Sequence, residues 1–387
     1  MKKLKQLTGY LSLTVVMFSL WVMSGCTKSS DAGPVFKLDL LIATPAYQQS
    51  TTVTDDKALD SLVKYLTVYP DLITLLDGSD QYTLFAPSNK AFKNLLATPG
   101  FPTDIKLINP AIIQGVLSYH LVAGQKTQAQ LTSGLSMNSL YTDPTTSTVQ
   151  TIVVNSDGTL KTGSTNTSIH ITVGDQKATN GVMHIVESVM IPPTVGASLT
   201  PILGTVAGDI LLGAAFTDIA KIITKADATF TESAANGAFK ITTWLAMPIS
   251  ASGAVTANAT GITFFAIPNT VFQAGAVAAG KSEADFVAQF MTTSDAARAL
   301  LLNHLATSAK YVITPATGAT TITNSSTITT KGKSISVLVT TISTQTGPYG
   351  YVLTNANTST ASSSAYIALK DQSKSNGVIQ VIAGILK

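Results

Sequence analysis

Three stretches of this sequence occur twice, in the same order, and that duplication constrains the fold more than any other feature. Thr83-Leu-Phe-Ala-Pro-Ser-Asn-Lys-Ala-Phe92 lines up without a gap against Thr263-Phe-Phe-Ala-Ile-Pro-Asn-Thr-Val-Phe272. Leu117-Ser-Tyr-His-Leu121 matches Leu301-Leu-Asn-His-Leu305, and Asn180-Gly-Val-Met-His-Ile-Val186 matches Asn376-Gly-Val-Ile-Gln-Val-Ile382. The separation between partners grows from block to block, as one duplication followed by loop insertions requires. A repeat of this length is a domain, not a solenoid unit. Two homologous domains are therefore expected, 51–194 and 195–387, divided near Pro192-Pro193.

Hydrophobic patterning gives the class of each domain. Alternating, β-branched runs predict strands at Thr151–Asn155, Ile169–Val173, Val182–Val189, Ser334–Thr341 and Val378–Ile382. Asp157-Gly158 and Asn180-Gly181 punctuate them as turns. Helical spacing predicts helices over Asp55–Leu66, Asn109–His120, Phe216–Lys225 and Asp295–Leu305. Helices and strands are partly segregated along the chain, which argues α+β rather than an alternating parallel sheet.

Residues 1–25 read as a leader. Lys2, Lys3 and Lys5 form a basic start, Tyr10 to Met23 an apolar stretch, and Ser24-Gly25 a small-residue exit. The apolar stretch is short of the roughly 20 residues that span a bilayer as a helix. Val22-Met23-Ser24-Gly25-Cys26 resembles the lipobox of bacterial lipoproteins, which implies that Cys26 carries the lipid. A tether over 26–50 then leads to the first domain. Several acyl chains, at about 0.8 kcal/mol per buried methylene, make a stable anchor. Cys26 is the only cysteine, which excludes an intramolecular disulfide and a cysteine-built metal site.

The repeated blocks also carry a family resemblance. Tyr82–Ala86 running into Pro87, Ser88 and a helix from Asn89, the Tyr119-His120 pair, and the closing Asn180-Gly-Val-Met-His184 strand resemble the fasciclin-like domain. The resemblance covers nearly all of 51–387. It implies two tandem domains, each a β-sandwich or wedge covered by helices, with a usual role in extracellular adhesion or weak binding of proteins and glycans, without catalysis. His120 and His304 read as partly buried histidines that hold a helix end by hydrogen bonds. The sharper alternative, as proposed for animal members of that family, makes Tyr119 and His120 candidate partner-binding residues, with Asn303 and His304 their counterparts. The second domain departs from the pattern at Pro268, Asn303 and Gln380, and carries a longer stretch over Ala226–Gly261 that contains Trp244.

Other chemistry is thin. Gly275-Ala-Val-Ala-Ala-Gly-Lys-Ser282 matches the phosphate-binding loop letter for letter, but no strand feeds it directly and no magnesium-binding aspartate follows a strand. It reads as a helix end followed by a Ser282 cap. His120, His170, His184 and His304 lack close metal spacing, and no G-x-S-x-G elbow is present. His184, replaced by Gln380 in the other copy, reads as a structural hydrogen-bonding residue. Asp55, Asp56, Asp60 and Asp71 read as solvated helix faces. Asn166, Asn258, Asn324 and Asn357 begin Asn-x-Ser/Thr sequons that, behind a bacterial leader, reflect loop composition.

Charge excludes a nucleic-acid partner. The chain has 24 Lys and Arg against 21 Asp and Glu, and without the three leader lysines the signs balance. Arg298 is the only arginine, a poor footprint for phosphates. The expectation is a non-enzymatic, exported protein without cofactor or metal, lipid-anchored to the bacterial outer membrane and facing the cell surface. Its partner would be an extracellular or envelope protein or a glycan. The alternative is an accessory lipoprotein of an outer-membrane complex that captures glycan or peptide nutrients.

Overall fold

The computed structural model describes residues 37–162, 168–248, 261–307, 309–322, 327–332, 336–341, 351–355 and 365–386. The leader, Cys26 and the four sequon asparagines lie outside the described residues.

The first half opens with three short helices, α1 (Leu38–Ile42), α2 (Asp60–Leu66) and α3 (Pro70–Leu76). Strand β1 (Tyr82–Pro87) leads into α4 (Asn89–Leu96) and α5 (Pro110–Tyr119). Six strands follow: β2 (Leu121–Ala123), β3 (Ser136–Thr142), β4 (Val149–Val154), β5 (Leu160–Thr162), β6 (Ile171–Ala178) and β7 (Gly181–Val186). They form one mixed sheet in the order β5-β4-β3-β2-β1-β7-β6, with β1 and β7 parallel at its centre.

That central pair is apolar nearly throughout because both of its faces are covered. Alternation then divides the side chains. Leu84, Ala86, Met183 and Ile185 pack under the helices against Leu62, Leu66, Phe92 and Leu117. Phe85 points the other way, into a second core with Tyr119, Met137, Ile152 and Leu160 between the curled parts of the sheet. Each entry into a helix is built locally. Ser88 Oγ accepts the Ala91 N–H at the start of α4, and Asn109 Oδ1 accepts the Ala111 N–H ahead of Pro110 in α5.

After α6 (Pro193–Leu199) the second half repeats the order: α7 (Val206–Leu212), α8 (Thr217–Asp227), α9 (Ile241–Ala246), β8 (Ile262–Ala266), then α10 (Asn269–Ala278), α11 (Glu283–Ala288) and α12 (Ser294–Leu302). Its strands are β9 (Leu305–Ala306), β10 (Tyr311–Val312), β11 (Thr320–Thr321), β12 (Thr327–Thr329), β13 (Ser336–Thr341), β14 (Tyr351–Asn355), β15 (Ala365–Lys374) and β16 (Gly377–Ile382). The large sheet runs β12-β13-β14-β15-β16-β8-β9, again with a parallel pair, β8 and β16, near its centre.

The two strand orders are one ring opened at different places. In the first half the gap between β5 and β6 is crossed by the Leu160–Ile169 bridge. In the second, β14 pairs with β15, and the gap between β9 and β12 is crossed by the Lys331 N–H donating to Leu305 C=O. Closing the ring leaves few unpaired edges. The architecture is α+β, with two seven-stranded sheets and the short parallel β10-β11 pair among the described residues, as expected from the segregated pattern.

The expected helix over Asp55–Leu66 starts only at Asp60. Lys57 and Ala58 N–H both turn back to Thr54 C=O, and Leu59 N–H donates to Tyr47 C=O. Those bonds hold 54–59 as a turn against the preceding segment and leave no partner for helical continuation.

Candidate functional site

The repeated motif residues come together around the parallel strand pair, and most of them are consumed in holding helices to the sheet. His120 caps the end of α5. Its Nδ1 lies 2.7 Å from Val116 C=O, and its Nε2 lies 2.9 Å from the Met190 N–H. A carbonyl can only accept and an amide N–H can only donate, so the ring is the neutral Nδ1–H tautomer. One imidazole thus bolts a helix terminus to the chain leaving β7. Its position repeats at His304, whose Nδ1 donates to Leu300 C=O at 2.9 Å while Nε2 accepts the Leu386 N–H at 3.0 Å. Burial holds both imidazoles down to a pKa of about 4, with the carbonyl bond opposing in each case.

Tyr119, the other half of the pair, is 0% exposed and donates its hydroxyl to Thr151 C=O on β4 at 2.6 Å. Burial pushes its phenol above the ordinary range. His120 is 1% exposed and His304 0% exposed. The expectation that Tyr119, His120 and His304 touch a partner is therefore corrected: no partner reaches a side chain sealed in the core and already hydrogen-bonded. Asn303 is half-buried, its amide oxygen set against the backbone of Gly332, so it takes the place of the tyrosine without reaching into the strand core.

His184 and Gln380 fill one role with different chemistry. β6 and β15 each carry an irregularity at an aspartate with positive φ, Asp175 at 55° and Asp371 at 56°. Such a residue drops out of the ladder and needs another partner for its N–H. Asp175 N–H donates to His184 Nδ1 at 3.1 Å, while His184 Nε2–H donates to Lys126 C=O at 2.8 Å. Asp371 N–H donates to Gln380 Oε1 at 3.0 Å, while Gln380 Nε2–H donates to Tyr311 C=O at 2.9 Å. An amide offers an acceptor oxygen and a donor nitrogen as a neutral imidazole offers an acceptor and a donor nitrogen, so the swap preserves both bonds, and the second amide N–H of Gln380 goes to Asp371 Oδ1 at 2.8 Å.

Two asparagines complete the pattern, and their role was not read from the sequence. Asn180 Oδ1 accepts the Leu38 N–H at the start of α1, while Nδ2 donates to Leu76 and Gly78 C=O at the end of α3. Asn376 does the same with Val206 N–H and the Leu245 and Met247 carbonyls. The available signal was their recurrence before both closing strands. Asn89 and Asn269 likewise accept the Ser61 and Asp218 N–H groups.

The phosphate-loop match is dispersed by the fold. Gly275 lies inside α10 with Phe286 packed on it, Gly280 ends the turn at φ 63°, and Ser282 Oγ caps α11 by accepting the Asp285 N–H. Asp55 pairs with Lys93, and Asp60 accepts bonds from Gln49 and Asn89, so these acids tie the approach to α2 and its first turn to α4. Among the described residues no three of His, Cys, Asp and Glu gather as metal ligands, and no helix is long and apolar enough to cross a membrane.

Among the described residues, a groove of about 200 Å³ lies open on the helical face of the first half. Tyr65 on α2, Val68 and Tyr69 on the link to α3, Ile105 and Ile113 line it, with Lys64 and Lys106 at its rim. Val68 is 66% exposed. Three residues, Thr67–Tyr69, join α2 to α3, and periodicity alone does not place them beside α5.

Residues 57–192 match the fasciclin domain. The match holds β1 with its Ser88 cap, Tyr119-His120 and the Asn180–His184 closing strand; residues 193–387 lie outside it. Similar curated proteins include Protein sll1483 of Synechocystis, 32% identical over 125 residues, 32% of this chain and 62% of that protein. Immunogenic protein MPB70 of Mycobacterium bovis is 30% identical over 123 residues, 31% of this chain and 56% of its own length. Transforming growth factor-beta-induced protein ig-h3 of Sus scrofa is 28% identical over 160 residues, 41% of this chain and 22% of that protein. The alignments thus span about half the length of MPB70 and a smaller part of ig-h3. A solved FAS1 domain pair from the insect cell adhesion molecule Fasciclin I is similar at a TM-score of 0.30 and 17% identity, covering 84% of this chain and 96% of that one. Fasciclin-domain proteins are typically non-enzymatic and adhesion-related.

Proposed function

We propose that this chain is a non-enzymatic protein of the bacterial cell envelope, anchored by lipid on Cys26, that adheres to or binds a matrix component, a glycan or another protein. In this reading the second half is a divergent fasciclin-like domain and the protein faces the cell surface. The observation that carries the reading is the commitment of the motif side chains. His120, His184 and Asn180 in the matched domain spend their hydrogen-bonding atoms on internal backbone groups. A group that turns over substrate needs a free atom facing it, whereas an adhesive domain needs a rigid surface, which such clamps supply. With signs balanced outside the leader, contacts rest on shape, apolar area and hydrogen bonds rather than on long-range steering.

Protease treatment of intact cells, followed by a blot, tests the reading. Loss of the protein with a periplasmic control intact is expected, together with release of a Cys26→Ser variant from the membrane fraction. Survival of the protein until the outer membrane is broken would overturn surface adhesion.

A further inference from the structure

Tandem domains joined by a short link move against each other by default, and in this chain three separate contacts oppose that freedom. The first is backbone on backbone. Gly100, in the turn after α4, has φ 79°, and a Cβ there would come within 2.5 Å of Gly204 N, in the turn before α7. Only glycine lets the two stretches approach so closely. Gly204 is itself held to the second half, since its C=O accepts the Ser375 N–H at 3.0 Å and the Ser375 hydroxyl at 2.9 Å just ahead of β16.

The second contact is a hydrogen-bonded bridge. Asn109, whose side chain caps α5, donates its N–H to Leu212 C=O at the end of α7 at 2.5 Å, and Ile108 pairs with Gly213 as an antiparallel β-bridge. The turns Ile105–Leu107 and Ala214–Phe216 lie beside it, and Asn269 Nδ2 ties Ala214 C=O to the second half at 3.0 Å. The third contact is the link itself. Leu199, at the end of α6, packs on the core of the second half, and with Ile191 it lines an apolar cavity of about 20 Å³ over Phe92, Phe101 and Val116 of the first.

The duplicated copy shows that these features belong to the joint and not to the fold at large. Gly280, with φ 63°, stands where Gly100 does, yet a Cβ there would meet nothing within 4 Å. Exposed Thr292 stands where Ile108 does, and Ile108 is 2% exposed. A hinge needs residues free to absorb backbone rotation. Between α6 and α7 the chain has only 200–205, where Gly204 lies against Gly100 and Thr205 Oγ1 caps α7 by accepting the Gly208 N–H. We infer that segments 97–109 and 199–216 form a fixed joint, so that the two halves act as one rigid body and the second half buttresses the groove wall at Ile105 and Ile108.

The test measures distances between nitroxide spin labels by double electron–electron resonance on the full chain carrying Cys26→Ser. Labels at Lys90→Cys on α4 and Val277→Cys on α10 report across the joint, and both positions are exposed. Labels at Lys64→Cys and Lys90→Cys, within the first half, give the width of a rigid pair. The cross-joint distribution should be single and as narrow as that control. Gly100→Val should broaden it at least about twofold, while Gly280→Val, which strains an equivalent glycine where nothing opposes the side chain, should leave it unchanged. Hydrogen exchange over 104–109 should quicken in Gly100→Val alone, which reads the buttress directly. If Gly100→Val does not fold, Leu199→Ser opens the third contact without backbone strain, and the same broadening is expected. A broad or multiple distribution in the unaltered joint would overturn the inference. So would a folded Gly100→Val or Leu199→Ser chain with unchanged width, or equal broadening by Gly280→Val. Unchanged exchange over 104–109 in a chain whose joint has loosened would sink the buttress.

Discussion

Mild acid should loosen this fold through two histidines before its carboxylates titrate. His120 and His304 are held to a pKa of about 4 by burial, against an ordinary value of 6.5. Each must be neutral, because Nε2 accepts from a backbone N–H, and a second ring proton would face that donor. Between pH 4 and 6.5 the unfolded chain binds more protons than the folded one, so stability rises with pH across that window and is lost on acidification. A tenfold difference in proton affinity is worth about 1.4 kcal/mol, so each imidazole withdraws about 2 kcal/mol by pH 5 and about 3 kcal/mol below pH 4. Burial at His184 acts in the same direction. The carboxyls of Asp39 and Glu283, held above their ordinary range, oppose it at the acid end.

Urea unfolding at half-unit pH steps from 7 to 5 measures the loss. In a Trp21→Phe background, fluorescence of Trp244, buried beside Phe239, follows the second half and so isolates His304. The C2–H resonances of both rings should stay at their neutral positions down to pH 5. A ring that titrates near 6.5, or a stability that is flat from pH 7 to 5, would refute the clamp argument.

Three further outcomes follow from the same contacts. His184→Gln should cost less than about 1 kcal/mol in urea melts and reduce the pH dependence of the first half, because Gln380 already makes the equivalent bonds. Asn180→Ala strands the Leu38 N–H and two carbonyls inside the fold and should cost about 3 kcal/mol by thermal unfolding, more than any exposed substitution on α2. A Tyr119→Ala, His120→Ala chain should lose at least about 4 kcal/mol from the emptied ring volume and the broken cap; native stability there would show that the pair is not structural.

Much of the fold was legible because it rests on local rules. The buried runs of β1 and β7, the Ser88 and Asn109 caps, and the order of the duplicated blocks are written in short stretches of chain. The exchange of His184 for Gln380 even gave the chemistry of that position, since only a bridging hydrogen-bond role survives the swap. The start of α2 was misplaced because Tyr47, distant in sequence, takes the Leu59 N–H.

The candidate site was less legible. Tyr119-His120 carries polar groups in an apolar helix, a pattern that fits both an exposed patch and a buried clamp. Only the strand-side core, which closes Thr151 over the phenol and brings Met190 to the imidazole, decides between them. The groove is tertiary in the same sense. Val68 and Ile113 are far apart along the chain, and their meeting depends on how far α5 stands from α2. By itself the sequence determined the repeat, the class of the fold and the residues that cap and turn, because these depend on neighbours within a few positions. The tertiary structure decided which polar side chains are sealed and which surface stays open, because burial is a property of what packs over a residue and not of the residue.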